Sequence, residues 1–387
     1  MRLPLIIRII IAIILGILIG MVAPDVCVRI MTTFNGLFDQ ILKFLIPLII
    51  IGLVTPAIAE VGKGAGKMLA ITVVIAYSFT VISGLFSYFT ASGLFPGLID
   101  CQQTSLIEQQ DDRFAPFFTI AIPPVMEVMS ALVLSFMAGL GIAMFDKAET
   151  LRGGFSEFRD IVTKTIDRVI IPFLPIYIFG LFLKMTAEGQ VAVVLATFIK
   201  IIFVILIMTF VLLLLQYTIA GIIARKNPLR MIANMMPAYV TALGTASSAA
   251  TIPVTLRQTE INGVAKEVAG FVIPLCATIH LSGSTLKITA CAVAIMLIHD
   301  MPFDFPMMLG FVLMLGIVMV AAPGVPGGAI MASLGVLASI LGFDTEQQAM
   351  MITLYVATAS IGTACNIPGD GAIALIVDRI APRRPTA

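Results

Sequence analysis

Tryptophan is absent from this 387-residue chain, histidine occurs only twice, and charged residues make up 12% of the sequence. Soluble domains carry roughly a quarter of their residues as Asp, Glu, Lys and Arg, so this shortage of charge excludes a water-soluble globule. An excess of one sign is missing too, with 23 Lys plus Arg against 22 Asp plus Glu. That balance argues against a nucleic-acid partner or a polyanion held by bulk charge. Cys27, Cys101, Cys276, Cys291 and Cys365 lie far apart with no C-x-x-C spacing, which leaves no basis for a disulfide framework or a thiolate metal cage. No low-complexity tract or hydrophilic linker divides the chain, so residues 1–387 read as one membrane domain. What is present is apolar: 59% of the residues are hydrophobic.

A bilayer core takes about 20 residues per helix. On that measure the apolar runs 9–22, 34–58, 68–94, 125–145, 169–183, 191–224, 264–298 and 349–377 predict about eight spans. With the N-terminus inside, Arg2, Arg8, Lys63, Lys67, Arg152, Arg159, Lys164, Arg225, Lys226 and Arg379 gather on one face. Asp100, Glu108, Glu188, Asp300, Asp304, Asp344 and Glu346 gather on the other. Lys and Arg in short loops set orientation, so both termini are expected in the cytoplasm of a cell (inner) membrane protein. The stretch 146–167 is amphipathic enough to lie at the interface as a helix.

Two apolar stretches are left over, and each is interrupted. Residues 246–253 read Ala-Ser-Ser-Ala-Ala-Thr-Ile-Pro inside the run 229–257, and residues 321–328 read Ala-Ala-Pro-Gly-Val-Pro-Gly-Gly inside the run 301–342. A lipid-facing helix broken at such points would leave amides unsatisfied in hydrocarbon. Both stretches are therefore read as re-entrant helical hairpins buried in protein, entering from opposite sides. Such a pair marks the binding site of an inverted-repeat transporter. The expected fold is all-α.

Ionisable residues inside apolar spans are costly and carry a functional hypothesis. In the last span Asn366 and Asp370 are spaced to share one helix face, beside Pro368 and glycines that loosen the helix. A carboxylate, an amide oxygen and freed carbonyls suit a small hard cation, so Asp370 is assigned as a cation ligand. In the seventh span His280, Ser284 and Lys287 follow i, i+4, i+7 and are expected on one stripe, with Asp370 or a hairpin tip as the partner of Lys287. Ser247, Ser248 and Thr251 offer hydroxyls and helix N-terminal amides to an anionic or zwitterionic ligand. They serve equally as ordinary capping residues.

These segments together resemble the dicarboxylate/amino acid:cation symporter family, the glutamate-transporter-like elevator transporters. The resemblance rests on residues 247–255 for the first hairpin tip, 273–280 for the seventh helix, 324–331 for the second tip and 362–370 for the eighth helix. It implies a homotrimer in the lipid bilayer, with a static scaffold of about 1–75 and 125–226. A transport part of about 76–124 and 227–387 would slide as a rigid body. It further implies that the solute contacts Ser247, Ser248, Val325, Pro326, Gly327, Gly362, Thr363 and Asn366. Sodium, the expected co-substrate, would be held by Asn366 and Asp370 and near Thr278 and His280. The function implied is secondary active, cation-coupled symport of an amino acid or carboxylate, with no enzymatic activity.

Several positions depart from the family pattern. Acidic-amino-acid members carry an Asp and an Arg on the eighth helix where this chain has Ala359 and Gly362. The seventh-helix signature is replaced by residues 280–284, His-Leu-Ser-Gly-Ser, and the second tip is one residue short. An acidic amino acid in the usual pose is thereby disfavoured. His280 and Lys287 become possible charge surrogates for a missing cation, which opens proton coupling as the alternative. A passive channel or an uncoupled transporter of the same fold would need a continuous polar path. An intramembrane hydrolase using His280 or His299 finds no nucleophile elbow or H-E-x-x-H motif.

Overall fold

The computed structural model describes residues 5–63, 67–99, 112–145, 148–189, 191–320, 322 and 327–380. Every regular element among the described residues is helical. The first are α1 (Leu5–Gly20), α2 (Asp25–Lys63), α3 (Lys67–Leu98), α4 (Val128–Met144), α5 (Glu149–Ala187) and α6 (Val191–Ala224). Three consecutive pairs follow: α7 (Pro228–Thr245) with α8 (Ser248–Ile261), α9 (Lys266–Ile279) with α10 (Ser282–Ile298), and α11 (Phe305–Val320) with α12 (Gly328–Leu341). The last elements are α13 (Thr345–Ala357) and α14 (Ala359–Ile380). Among the described residues, six helical stretches are long and apolar enough to cross a bilayer: α2, α3, α5, α6, α9 with α10, and α14. The protein is a multi-pass membrane protein.

Local chemistry explains the starts of α7 and α13. Asn227 caps α7 by accepting from the amides of Leu229 and Arg230, with Pro228 at the first helical position, where a missing N–H costs nothing. Asp344 and Gln347 form a reciprocal capping box at the start of α13. The amphipathic stretch is helical over Glu149–Thr165. From Glu149 it runs straight on into the fifth span as one 39-residue helix. The join is a π turn at Ile166–Ile170, and the residue that follows Ile171 is Pro172, which cannot close an i→i−4 bond. The wider turn absorbs that mismatch without breaking the helix.

The helices pack in two groups. In the first, α1 lies against the second half of α5, and α2 lies against α4 and α5. Gly16 and Gly20 bring α1 down onto backbone: a Cβ at Gly16 would sit 2.8 Å from the Phe179 carbonyl oxygen, and one at Gly20 2.8 Å from that of Leu183. Small residues four apart let two helices approach this closely where lipid supplies no hydrophobic drive. In the second group α14 is the hub, touching α6, α7, α8, α9 and α10, while α3 lies along α10. Ser83 and Ser87 of α3 donate to the carbonyls of Ser282 and Leu286 at 2.9 and 2.7 Å. Outward faces are apolar, with Ile199 at 69% and Met137 at 66% exposure. Such surfaces call for lipid, not water.

The groups meet where α12 lies against α2 and α4 and where α13 touches α1 and α5, and the last of these contacts is polar. Tyr177 of α5 places its hydroxyl 2.6 Å from a carboxylate oxygen of Asp39 on α2 and 3.2 Å from the Thr345 carbonyl at the start of α13. Beside it, Lys184 lies 3.6 Å from Glu346 and 3.8 Å from Glu188.

Candidate functional site

Three interruptions converge on the middle of the second group. The α7–α8 pair turns at Ala246, which adopts a left-handed φ of 48°, and at Ser247, whose side chain caps α8 by accepting from the Ala250 amide at 3.3 Å. The α9–α10 pair breaks at His280 and Leu281. The third pair presents Gly327, with φ of 82°, at the start of α12. Val325 and Pro326, assigned to the second tip, lie outside the described residues. Ser248, Thr278, Gly327, Thr363 and Asn366 line one cavity, together with Ser284, Tyr355 and Ala359. Ser247 acts as the cap of α8.

The seventh helix breaks for a tertiary reason. Pro274 lies inside α9, and the helix continues through it. It opens instead at His280, in extended backbone with φ −107° and ψ 102°. Neither glycine nor proline occupies positions 280 or 281. No local side chain caps α10. The cap comes from α14, where the Asn366 side-chain oxygen accepts from the Gly283 amide at 2.7 Å. Gly283 is needed for this approach, since a Cβ there would lie 2.6 Å from the Gly362 carbonyl oxygen. Asn366 and Asp370 do share one face of α14, and that face meets residues 280–283.

Because the helix is broken, His280, Ser284 and Lys287 do not form a continuous stripe, although all three are buried. His280 Nδ1 lies 2.8 Å from Asp370 Oδ1, with both side chains inaccessible to solvent. Ser284 pairs with the Tyr355 hydroxyl at 3.1 Å. Among the described residues, Lys287 meets neither Asp370 nor the first hairpin tip. Its ammonium donates to the Thr358 carbonyl at 2.9 Å and stands 3.9 Å from the centroid of the Tyr355 ring. Thr358 is where the last span itself breaks, between α13 and α14. The helix was expected to loosen around Pro368, but α14 runs through it, and Tyr217 donates to the Pro368 carbonyl at 2.8 Å.

Around Gly369 the polar atoms are all of one kind. Asp370 as a carboxylate can only accept, so Nδ1–H of His280 donates to it, and in the neutral imidazole Nε2 then carries the lone pair. Gln216 donates its amide nitrogen to Ser282 Oγ at 3.1 Å, which leaves its oxygen free. His280 Nε2, Gln216 Oε1 and Asp370 Oδ2 are each buried without a protein partner. A Cβ on Gly369 would lie 2.6 Å from His280 Cε1 and 2.8 Å from Gln216 Oε1, so the His280 ring and the Gln216 oxygen pack against a position that only glycine fits. Buried acceptors facing no donor are costly unless a cation or water joins them. Among the described residues no three His, Cys, Asp or Glu side chains cluster, so a transition-metal cage is not built here. Thr278 contributes to the cavity wall, and its hydroxyl bonds back to the Leu275 carbonyl at 2.7 Å.

Gln216 and Tyr355 were not singled out from the sequence. Gln216 is a lone amide in the long apolar run of α6, and that intramembrane polar signal was available.

Comparison with known proteins decides the family. The model of the sodium:dicarboxylate symporter family matches residues 5–380. The chain belongs to that family. It is similar to the serine/threonine transporter SstT of Acinetobacter baumannii, with 29% identity over 392 aligned positions covering 97% of each chain. It is also similar to excitatory amino acid transporter 1 of Rattus norvegicus and of Homo sapiens, with 28% identity over 260 positions, 65% of this chain and 47% of each relative. Membership makes the protein a transmembrane, sodium-coupled symporter of the amino acid and dicarboxylate class, not an enzyme. Within this family the departures at Ala359 and Gly362 gain a physical meaning. The space where a side chain at position 362 would begin is filled by Lys287, whose Cε and Nζ lie 2.5 and 2.8 Å from a Cβ built there.

Proposed function

We propose that this symporter couples sodium to a small organic solute through an elevator movement of the second helix group. The observation that carries the reading is the meeting of Asn366 and Asp370 with the broken seventh helix, beneath a cavity bordered by the ends of two helix pairs. Asp370 Oδ2 and Gln216 Oε1 supply hard-oxygen ligands for sodium, and Asn366 has a second lone pair free while it caps α10. Ser248, Thr278, Thr363 and Ser284 present hydroxyls to the solute. The pairs α7–α8 and α11–α12 act as opposed re-entrant hairpins, and the assembly is a homotrimer with cytoplasmic termini.

Contacts suggest one change to the expected division. Helix α6 bonds through Gln216 to Ser282 and through Tyr217 to Pro368, so it travels with the transport part. The proposed scaffold is α1, α2, α4 and α5. Coupling follows from linkage: a cation that orders the break at 280–283 also fixes Ser284 and the cavity wall, so each ligand strengthens the other.

The hydroxyl-rich wall accords with a small polar solute. The test uses purified protein in liposomes with labelled serine, aspartate, succinate and lactate, imposing sodium and proton gradients separately. Uptake of at least one solute should follow the sodium gradient. Uptake that ignores sodium and follows the proton gradient alone would replace this reading by proton symport.

A further inference from the structure

The solute cavity has a charge character that its family does not dictate. On α14, positions 359, 362, 363 and 366 follow i, i+3, i+4, i+7 and so form one stripe. Ala359, Thr363 and Asn366 of that stripe line the cavity. Gly362, the fourth member, carries no side chain, and the ammonium of Lys287 occupies the place where one would start. Tyr355 touches both: it lines the cavity, and its ring bears the ammonium. Lys287 is wholly buried, and among the described residues its partners are a carbonyl and a ring, with no carboxylate. A buried ammonium lacking an anion is an expensive arrangement, and an arriving carboxylate would relieve it.

Acid groups are missing from the same wall. The described lining residues supply hydroxyls and one amide, and position 359 holds alanine. Asp370 belongs to α14 too but is bonded to His280 and does not line the cavity. A solute ammonium would therefore lose its hydration with no anionic partner on the wall, and would lie beside the Lys287 amine, which has no acceptor to offer it when protonated. Two fourteen-residue helices, α8 and α12, also begin at the cavity and add the positive ends of their dipoles. We infer that the solute is a small carboxylate anion without an ammonium group, and that Lys287 is the residue that selects it. This rests on the symporter reading above and narrows its substrate class.

Thermal unfolding of the purified full-length protein in sodium chloride tests the inference, because a ligand bound to the native state raises its stability by mass action. Four probes are added in turn: succinate, L-lactate, L-serine and L-aspartate. Succinate or lactate should raise the unfolding temperature, and the two amino acids should not. Lys287→Met should weaken the carboxylate effect about tenfold or more, the loss expected for one charge-assisted contact. Gly362→Ala provides an independent variant, because its methyl displaces the ammonium while leaving Lys287 in the chain. Retention of the stabilisation by sodium alone shows that either variant is folded. Stabilisation by serine or aspartate but by neither carboxylate would overturn the inference while leaving the symporter reading intact, and so would silence from all four probes. Carboxylate binding unchanged in both variants would remove Lys287 from the account. Solute effects indifferent to sodium would instead contradict the coupled-transport reading, and the comparison among probes would still decide the substrate class.

Discussion

Asp370 accepts one hydrogen bond from His280 and keeps its second oxygen buried and free, which is the local arrangement a desolvated cation needs. Replacing it tests that directly. Asp370→Asn retains volume and one oxygen but removes the charge, so half-maximal sodium should rise tenfold or more in a solute-uptake assay, by loss of about 1.4 kcal/mol or more. Gly369→Ala places a methyl within 2.6 Å of the His280 ring and 2.8 Å of the Gln216 oxygen. It should cost about 1–3 kcal/mol of stability as overpacking, read as a lower unfolding temperature, and should blunt sodium binding as well. The two variants differ in that only the alanine perturbs the apo protein by steric strain.

Helix interruptions were only partly legible in the sequence. The small-residue run at 246–253 marked a turn that the structure places at Ala246 and Ser247, because Ser247 is a good cap and the hairpin pairs α7 with α8. The break at His280 carried no such mark: Pro274 was the local signal, yet α9 tolerates it, and the opening is held by Asn366 from another helix. The break at Thr358 was likewise unmarked by glycine or proline in its own window, whereas Pro172 was a local signal for the π turn. Site residues on α14 were readable because a carboxylate and an amide in an apolar run are conspicuous. Gln216 was equally conspicuous in kind, but its meaning depends on α6 crossing beside Ser282, which no spacing along the chain reveals. At the level of whole elements the prediction concerns α1. Gly16→Leu should force α1 off the Phe179 carbonyl and lower stability by about 1–3 kcal/mol, seen as a fall in unfolding temperature with sodium dependence unchanged.

The two helix groups share a limited polar contact through Tyr177, Asp39 and Thr345, flanked by Lys184 and Glu346. The elevator movement proposed above would break it, and on that proposal the contact stabilises the state described and holds back the next one. Tyr177→Phe removes a hydroxyl worth about 0.5–1.5 kcal/mol. Initial uptake should accelerate severalfold with half-maximal sodium unchanged, whereas a shift in sodium affinity alone would place Tyr177 in the ion site and not at a moving interface. Both groups present apolar exteriors to lipid, and the polar chemistry is gathered at the hub around α14. The account as a whole depends on that hub binding sodium. Its most direct measurement is the unfolding temperature of wild type and Asp370→Asn as sodium chloride replaces choline chloride at constant ionic strength. A rise with sodium in wild type that is largely lost in the variant is the predicted result, approaching about 2.7 kcal/mol of added stability when sodium reaches a hundred times its dissociation constant. Equal responses in the two proteins, or none in either, would contradict it.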